Sequence, residues 1–178
     1  VGNIVIRNSK KGEKFTPISG EEMELPEGIL VVADETGPIA IAGVMGGEST
    51  KVTEGTKNIL VEVAIFSPKA VSQSGRALGL LSDSRFRFER RVDSGNAEMF
   101  NNFLTNLIVA ECGGEAHEAI IAVGESEKKV EKIDFDFSYI EQLSGLPISK
   151  ESAVTILNKL GFKISGTSIS IPSYRQGD

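Results

Sequence analysis

The chain has 178 residues, 40% hydrophobic and 25% charged, an ordinary globular composition that excludes wholesale disorder and a collagen-like fold. With 19 Lys and Arg against 25 Asp and Glu the net charge is −6; that excludes a generic nucleic-acid binder, because phosphate contacts need clustered positive charge, though one local basic patch could still touch RNA. The single cysteine and single histidine exclude an internal disulfide framework, a cysteine-based zinc site and a two-histidine metal site.

The length suits one domain, or one domain plus a small second one. No run of 18 apolar residues occurs, so no membrane span is expected. The amino end carries no signal-peptide pattern, and a lone thiol fits a cytoplasmic protein. The start at Val1 and the stop at Asp178 read as the ends of a piece cut from something longer.

Residues 1 to 33 read as strands. Ile4, Val5 and Ile6 form a short apolar run, and Gly12 closes a polar turn. Ile29 to Ala33 is apolar throughout, as in a strand buried on both faces, and Ile39 to Ala42 reads as a second. Between them Asp34 to Pro38 is a turn. Ile59 to Phe66 reads as a third buried strand. A helix follows, with Ser67 as N-cap, Pro68 at the first helical position and Gly79 past its end. Ser84 to Val92 alternates charged and aromatic residues and reads as a strand. A second helix is expected from about Asn96 to Glu111, ended by Gly113 and Gly114, and a short strand over Ala119 to Val123. The charged stretch 125–130 is the expected linker between a first domain, 1–124, and a second, 131–178. There Ser138 and Glu141 form a capping-box pattern closed by Gly145. Ser149 opens another helix ending at Gly161, and Ile169 to Ile171 is a short strand.

Three places could carry chemistry. The glycines of Gly43-Val44-Met45-Gly46-Gly47 let a ligand approach the backbone, but Glu48 follows where a phosphate loop needs Lys and Ser or Thr. The plainer reading is a tight strand-to-loop corner. Glu62 interrupts an apolar strand, sharing a face with Leu60 and Ala64. A carboxylate there is either a structural partner to buried donors or a reader of a ligand. Ser82 to Arg91 holds four arginines and two phenylalanines, which fits RNA contact through Arg85 and Arg87 or, more simply, a solvated face of Arg–Glu pairs. His117 reads as a surface residue, and Cys112 as a small core filler rather than a nucleophile.

Taken together, Ile41-Ala42-Gly43-Val44-Met45-Gly46-Gly47, Leu60-Val61-Glu62-Val63-Ala64-Ile65-Phe66-Ser67-Pro68 and Ser82-Asp83-Ser84-Arg85-Phe86-Arg87-Phe88-Glu89-Arg90-Arg91-Val92-Asp93 closely resemble, in order and spacing, the bacterial phenylalanyl-tRNA synthetase β-subunit family. Residues 1 to about 124 resemble its editing domain. Residues from about 131 resemble the start of the small domain that follows, including Pro172-Ser173-Tyr174-Arg175. The resemblance implies an α+β fold of packed mixed β-sheets with outer helices, then a partial winged-helix-like domain. It also implies hydrolysis of mischarged tyrosyl-tRNA(Phe) by a positioned water, within an α2β2 enzyme that joins phenylalanine to tRNA. The expected partners are the α subunit and tRNA(Phe), with no membrane. ATP and magnesium belong to the whole enzyme, and no cofactor is expected for this stretch.

The resemblance assigns Glu62 to reading the tyrosine hydroxyl and Gly46 to the pocket lining. Ser82 stands for a usual threonine, Ser84 for a usual alanine on the opposite wall, Arg91 for a usual glycine and Ser94 for a usual proline. A histidine motif and a pocket arginine of the family precede the point where this chain begins, so poor editing by these residues alone is expected. Asp178 is displaced by one position from a family acidic residue that helps bind magnesium, and no metal is assigned. The competing expectations are a non-catalytic module that shapes the subunit and steers tRNA, and a free-standing domain that has lost hydrolysis.

Overall fold

The computed structural model describes residues 3–117, 120–124 and 130–177. The chain divides into two compact units. One comprises residues 1–92 and 98–114, the other residues 93–97 and 115–178. Ala119 and most of the expected linker, 125–129, lie outside the described residues.

The first unit opens with β1 (Val5–Asn8), β2 (Glu13–Phe15), β3 (Met23–Leu25), β4 (Leu30–Asp34), β5 (Gly37–Ile41) and the short β6 (Met45–Gly46). Strands β1, β4, β5 and β6 form one sheet in that spatial order, and β2 pairs with β3 in a second. Every pairing is antiparallel, which corrects the expectation of mixed sheets. Strand β4 is central, and its Val31, Val32 and Ala33 are all buried, as an apolar run covered on both faces must be. Its register against β5 shifts between Val32 and Ala33, where Pro38 faces Ala33. A proline donates no ladder hydrogen bond, so an irregularity is where a strand tolerates one.

The core gathers Phe15, Leu25, Ile29, Val31, Ile41, Val44, Phe66 and Val71, with Ala64, Leu80 and Phe88 packed against it. Outside the core, Arg7 of β1 makes a two-pronged ion pair with Glu13 of β2, at 2.7 and 2.9 Å. Glu13 also accepts from the Lys10 backbone N–H at 2.7 Å. The Arg7 hydrogen bond, with help from Lys10, holds the Glu13 carboxyl at about 2, against an ordinary 4.5. A depressed folded-state pKa contributes stability above the unfolded value and loses it as pH falls through the folded one. Acid denaturation should therefore show a component between pH 4.5 and about 2 that vanishes in Glu13→Gln. Equal acid profiles for the two proteins would sink this.

Helix α1 (Pro68–Ala77) follows the expected signals. Ser67 caps it and Leu78 ends it ahead of Gly79 at φ 64°. Helix α2 (Asp83–Phe88) stands where a strand was expected. The alternation over Arg85 to Glu89 was too short to decide, and local chemistry settled the outcome. Ser82 is an extended N-cap that accepts from the Arg85 N–H, and Asp83 sits in the first turn. Arg85 and Glu89 then pair at helical i,i+4 spacing. Helix α3 (Ala97–Cys112) is as expected in place, but none of its residues is buried. Cys112 is exposed rather than a core filler, and His117 is exposed too.

The expected buried strand over Ile59 to Phe66 forms no strand, and neither do the described residues 120–123. Of the former, only Phe66 is buried; Ile59, Leu60 and Ile65 are exposed.

The second unit holds β7 (Lys132–Asp134), α4 (Ser138–Ser144), α5 (Lys150–Lys159), β8 (Lys163–Ser165) and β9 (Ser168–Ser170). Its antiparallel sheet has the order β7-β9-β8. Ser149 caps α5 as expected. Ser138 does not cap α4; it is the first helical residue, and its N–H is taken by Asp136. Ala153 and Ile169 form the small buried centre.

Candidate functional site

The three strings singled out in the sequence meet at one corner of the first unit. Strand β5 ends at Ile41 and the chain turns through Ala42, Gly43 and Val44 into β6. Gly43 adopts φ 67°, the left-handed region that a side chain disfavours. A methyl on Gly43 would stand 2.9 Å from Val71 Cγ2, 3.1 Å from Phe66 and 3.3 Å from Phe88. Phe66, at the end of the second string, and Phe88, in the third, pack at 5.3 Å between ring centres with a 55° tilt, within the range of favourable aromatic pairs.

Two serines tie α2 to this corner. The Ser82 hydroxyl donates to the Val44 carbonyl at 2.5 Å, and the Ser84 hydroxyl donates to the Gly43 carbonyl at 3.0 Å. Both are half-buried. The Ser84 hydroxyl, absent from the alanine usual in the resembling family, is thus taken up by backbone. Gly46 lies three residues on, exposed and paired with Ala40. A methyl there would meet nothing within 4 Å, so the position borders open space.

Glu62 is not the buried strand carboxylate expected; its side chain is exposed. Enough protein still surrounds it for desolvation to push its carboxyl above the ordinary range, with no other cause contributing. Both hold for a carboxylate that water can reach from one side while protein flanks the other. No hydrogen bond or ion pair engages Glu62 among the described residues. The structure joins Ser82 and Ser84 to the Gly43–Val44 corner through these hydrogen bonds, and among the described residues no hydrogen bond or ion pair links Glu62 to any of them.

The arginines of the third string divide. Arg85 is largely buried: Nη1 donates to the Leu80 carbonyl at 2.7 Å and Nε to Glu89 at 3.1 Å. Its stem lies so close to Gly75 of α1 that a methyl on Gly75 would collide with it. Arg85 therefore holds α2 against α1. Burial opposes ionisation of Glu89, but Arg85 and Arg90 outweigh it and hold that carboxyl low. Arg90 lies 3.8 Å over the Phe86 ring. Arg87 alone of Arg85 and Arg87 is exposed, and its side chain makes no hydrogen bond or ion pair among the described residues.

Sequence reasoning missed two anchors. Ser74 is buried in α1 and its hydroxyl accepts from the Leu30 N–H of β4 at 3.2 Å. Gly75 beside it is a mid-helix glycine, a signal of close packing.

Arg91 adopts φ 72° while its N–H closes the end of α2 on Phe88 at 3.2 Å. The turn usual for glycine is thus kept by a residue that pays for it sterically. Arg91→Gly should stabilise the first unit by about 1 kcal/mol, read by urea denaturation; a destabilised variant would refute the strain.

Among the described residues no group of three or more His, Cys, Asp or Glu is placed to hold a metal ion, and no helix is long and apolar enough to cross a membrane.

The model of the B3/4 domain family matches residues 1–113. Among curated proteins, the chain is similar to the phenylalanine–tRNA ligase β subunit of Bartonella quintana, 38% identical over 98% of this chain and 22% of that protein. It is 37% identical to the β subunit of Mesorhizobium japonicum over the same shares, and 36% identical to that of Zymomonas mobilis, again over 98% and 22%. The chain thus spans 22% of the length of these relatives.

Proposed function

The chain belongs to the B3/4 domain family, and on that premise we propose that it is a portion of a phenylalanine–tRNA ligase β subunit, forming part of a site that hydrolyses tyrosine wrongly attached to tRNA(Phe). The observation that carries this reading is Glu62, an accessible, partly desolvated carboxylate with no partner among the described residues. Such a group is ready to accept a phenolic hydroxyl. A pocket built only from apolar walls rejects an added hydroxyl weakly, so a synthetase for phenylalanine benefits from a second site that rewards it. Phenylalanine would leave the carboxylate unpaired, and tyrosine would satisfy it.

The chemistry is ester hydrolysis. Water attacks the ester carbonyl carbon, the bond to the ribose oxygen breaks, and tyrosine and tRNA leave. No side-chain nucleophile is needed, and the protein's part is to position substrate and water. Gly46 leaves space beside the site. Ser82 and Ser84 act by fixing α2 to the Gly43–Val44 corner. Arg87 is the cation of α2 free to meet RNA phosphate.

In the whole enzyme this portion works beside an α subunit in an α2β2 assembly that charges tRNA(Phe) in the cytoplasm, where ATP and magnesium serve aminoacylation. Residues 1–178 edit weakly on their own. Residues 131 onward form the opening of a winged-helix-like unit, a reading supported by two helices followed by the β8–β9 hairpin, with β9 pairing back to β7. The test is deacylation of tyrosyl-tRNA(Phe) by the assembled enzyme with and without Glu62→Ala. Normal clearance by the variant would overturn the role of Glu62.

A further inference from the structure

Positive charge is gathered in one stretch of an acidic chain. Residues 67–92 hold six Lys and Arg against two Asp and Glu, whereas the whole chain holds 19 against 25. The densest part is the carboxyl-terminal end of α2 and the turn after it, with Arg87, Arg90 and Arg91, all exposed. Their side chains leave the backbone within one turn, because the Arg90 and Arg91 N–H groups bond back to the Arg87 and Phe88 carbonyls, each at 3.2 Å. The acids of the stretch do not cancel them. Glu89 is taken by Arg85 at 3.1 Å and by Arg90 at 2.9 Å, and Asp83 lies in the first turn, at the opposite end of the helix.

Cations at a helix C-terminus meet the negative end of its dipole, which accounts for some arginine here. It does not account for Arg91. This residue stands at φ 72°, where glycine is at ease and a side chain is strained. Closing the turn needs only the backbone N–H, which glycine also supplies. The Arg91 side chain makes no hydrogen bond or ion pair among the described residues, so no such contact there offsets the strain. Strain kept without an internal contact is a signature of function. Phe86 narrows the partner. The Arg90 guanidinium lies 3.8 Å from the centre of the Phe86 ring, yet the ring stays 58% exposed. An exposed ring beside unpaired cations suits single-stranded RNA, whose phosphates meet the cations while a base stacks on the ring. An acidic protein surface would use the charges and leave the ring idle.

We propose that Phe86, Arg87 and Arg91 form a grip for the single-stranded 3′ end of tRNA, with Arg91 binding a backbone phosphate and Arg90 bracing the ring. The grip is indifferent to the attached amino acid, because it engages phosphate and base rather than the ester. This inference rests on the reading of tRNA as the substrate, but not on the role of Glu62.

The test is equilibrium binding of uncharged tRNA(Phe) to the assembled enzyme across a salt series. Arg91→Gly should bind about 5-fold more weakly at low salt, and the slope of log K against log salt should shrink by about 0.7, the share of one phosphate in a single strand. It should do so while the fold gains stability. Phe86→Ala should weaken binding by about 5-fold or more with the slope unchanged, since stacking releases no counterion. Both losses should disappear on tRNA(Phe) trimmed of its single-stranded 3′ end. Unchanged affinity and slope in Arg91→Gly overturn the proposal. So does a loss that persists on the trimmed tRNA, and so does an Arg91→Gly subunit that no longer assembles with the α subunit, which would make the patch a protein interface. Weaker tRNA binding by Arg91→Gly beside normal clearance of tyrosyl-tRNA(Phe) by Glu62→Ala would defeat the editing role of Glu62 and leave this grip standing.

Discussion

Replacing Glu62 by alanine should slow clearance of tyrosyl-tRNA(Phe) by the assembled enzyme by about 10- to 100-fold, the range expected for a lost hydrogen bond to a charged group. Aminoacylation with phenylalanine should be unchanged. Glu62→Gln separates a reader from a structural carboxylate. Desolvation raises the folded-state pKa of Glu62, so its ionised form is a burden on the fold. The sign is fixed by linkage: the burden is absent below the unfolded value and fully present once pH exceeds the folded one. Glu62→Gln should therefore leave stability at pH 7 equal or higher while editing falls. A structural carboxylate would show the opposite, lower stability with editing reduced only in proportion. The raised pKa adds a pH signature. The accepting carboxylate is lost on acidification earlier than an ordinary glutamate would be, so editing should weaken in mild acid while aminoacylation persists.

Gly43→Ala should destabilise the first unit by about 3 kcal/mol. The left-handed backbone at φ 67° costs a side chain about 1–3 kcal/mol, and the added methyl must displace Val71, Phe66 or Phe88, which overpacking data place at a further 1–3 kcal/mol. Gly46→Ala is the control. It has open space around it and no left-handed backbone, so its stability should change by less than about 1 kcal/mol. Chemical denaturation of both variants decides the matter. Similar losses at the two positions would show that the corner is not the tight point that its contacts describe.

How much was legible in the sequence depended on where each signal was stored. Helix α1 announced itself because Ser67, Pro68 and Gly79 are local signals for local structure. Strands β4 and β5 were legible because a run apolar at every position has few alternatives. Helix α2 was misread because Phe86 and Phe88 fit a period of two over five residues. The deciding evidence lay in the Ser82 cap and the Arg85–Glu89 spacing. The run 59–66 was misread as a buried strand: its composition is strand-like, but a ladder needs a neighbour, and composition does not supply one. At the candidate site, residue type alone pointed to the glycine corner and to Glu62, but not to the exposure of Glu62 outside any strand. The inward turn of the Ser84 hydroxyl and the use of Arg85 as a clamp were not, since each depends on residues far apart in the chain. The left-handed turn at Arg91 was hidden because an arginine does not advertise that conformation.

The corner described above also bears on when the site exists. Ser82 reaches Val44 across 38 residues and Ser84 reaches Gly43 across 41, so both bonds close large loops, and such contacts form only after loop-closure entropy is met. Gly43 of the same turn sits against Phe66 and Val71 of the core and Phe88 beside it. Assembly of the candidate site and consolidation of the core are therefore expected to coincide. A newly made chain would pass through no stage in which the corner is shaped while its hydrophobic support is still open, and a substitution that slows folding here delays the site by the same interval.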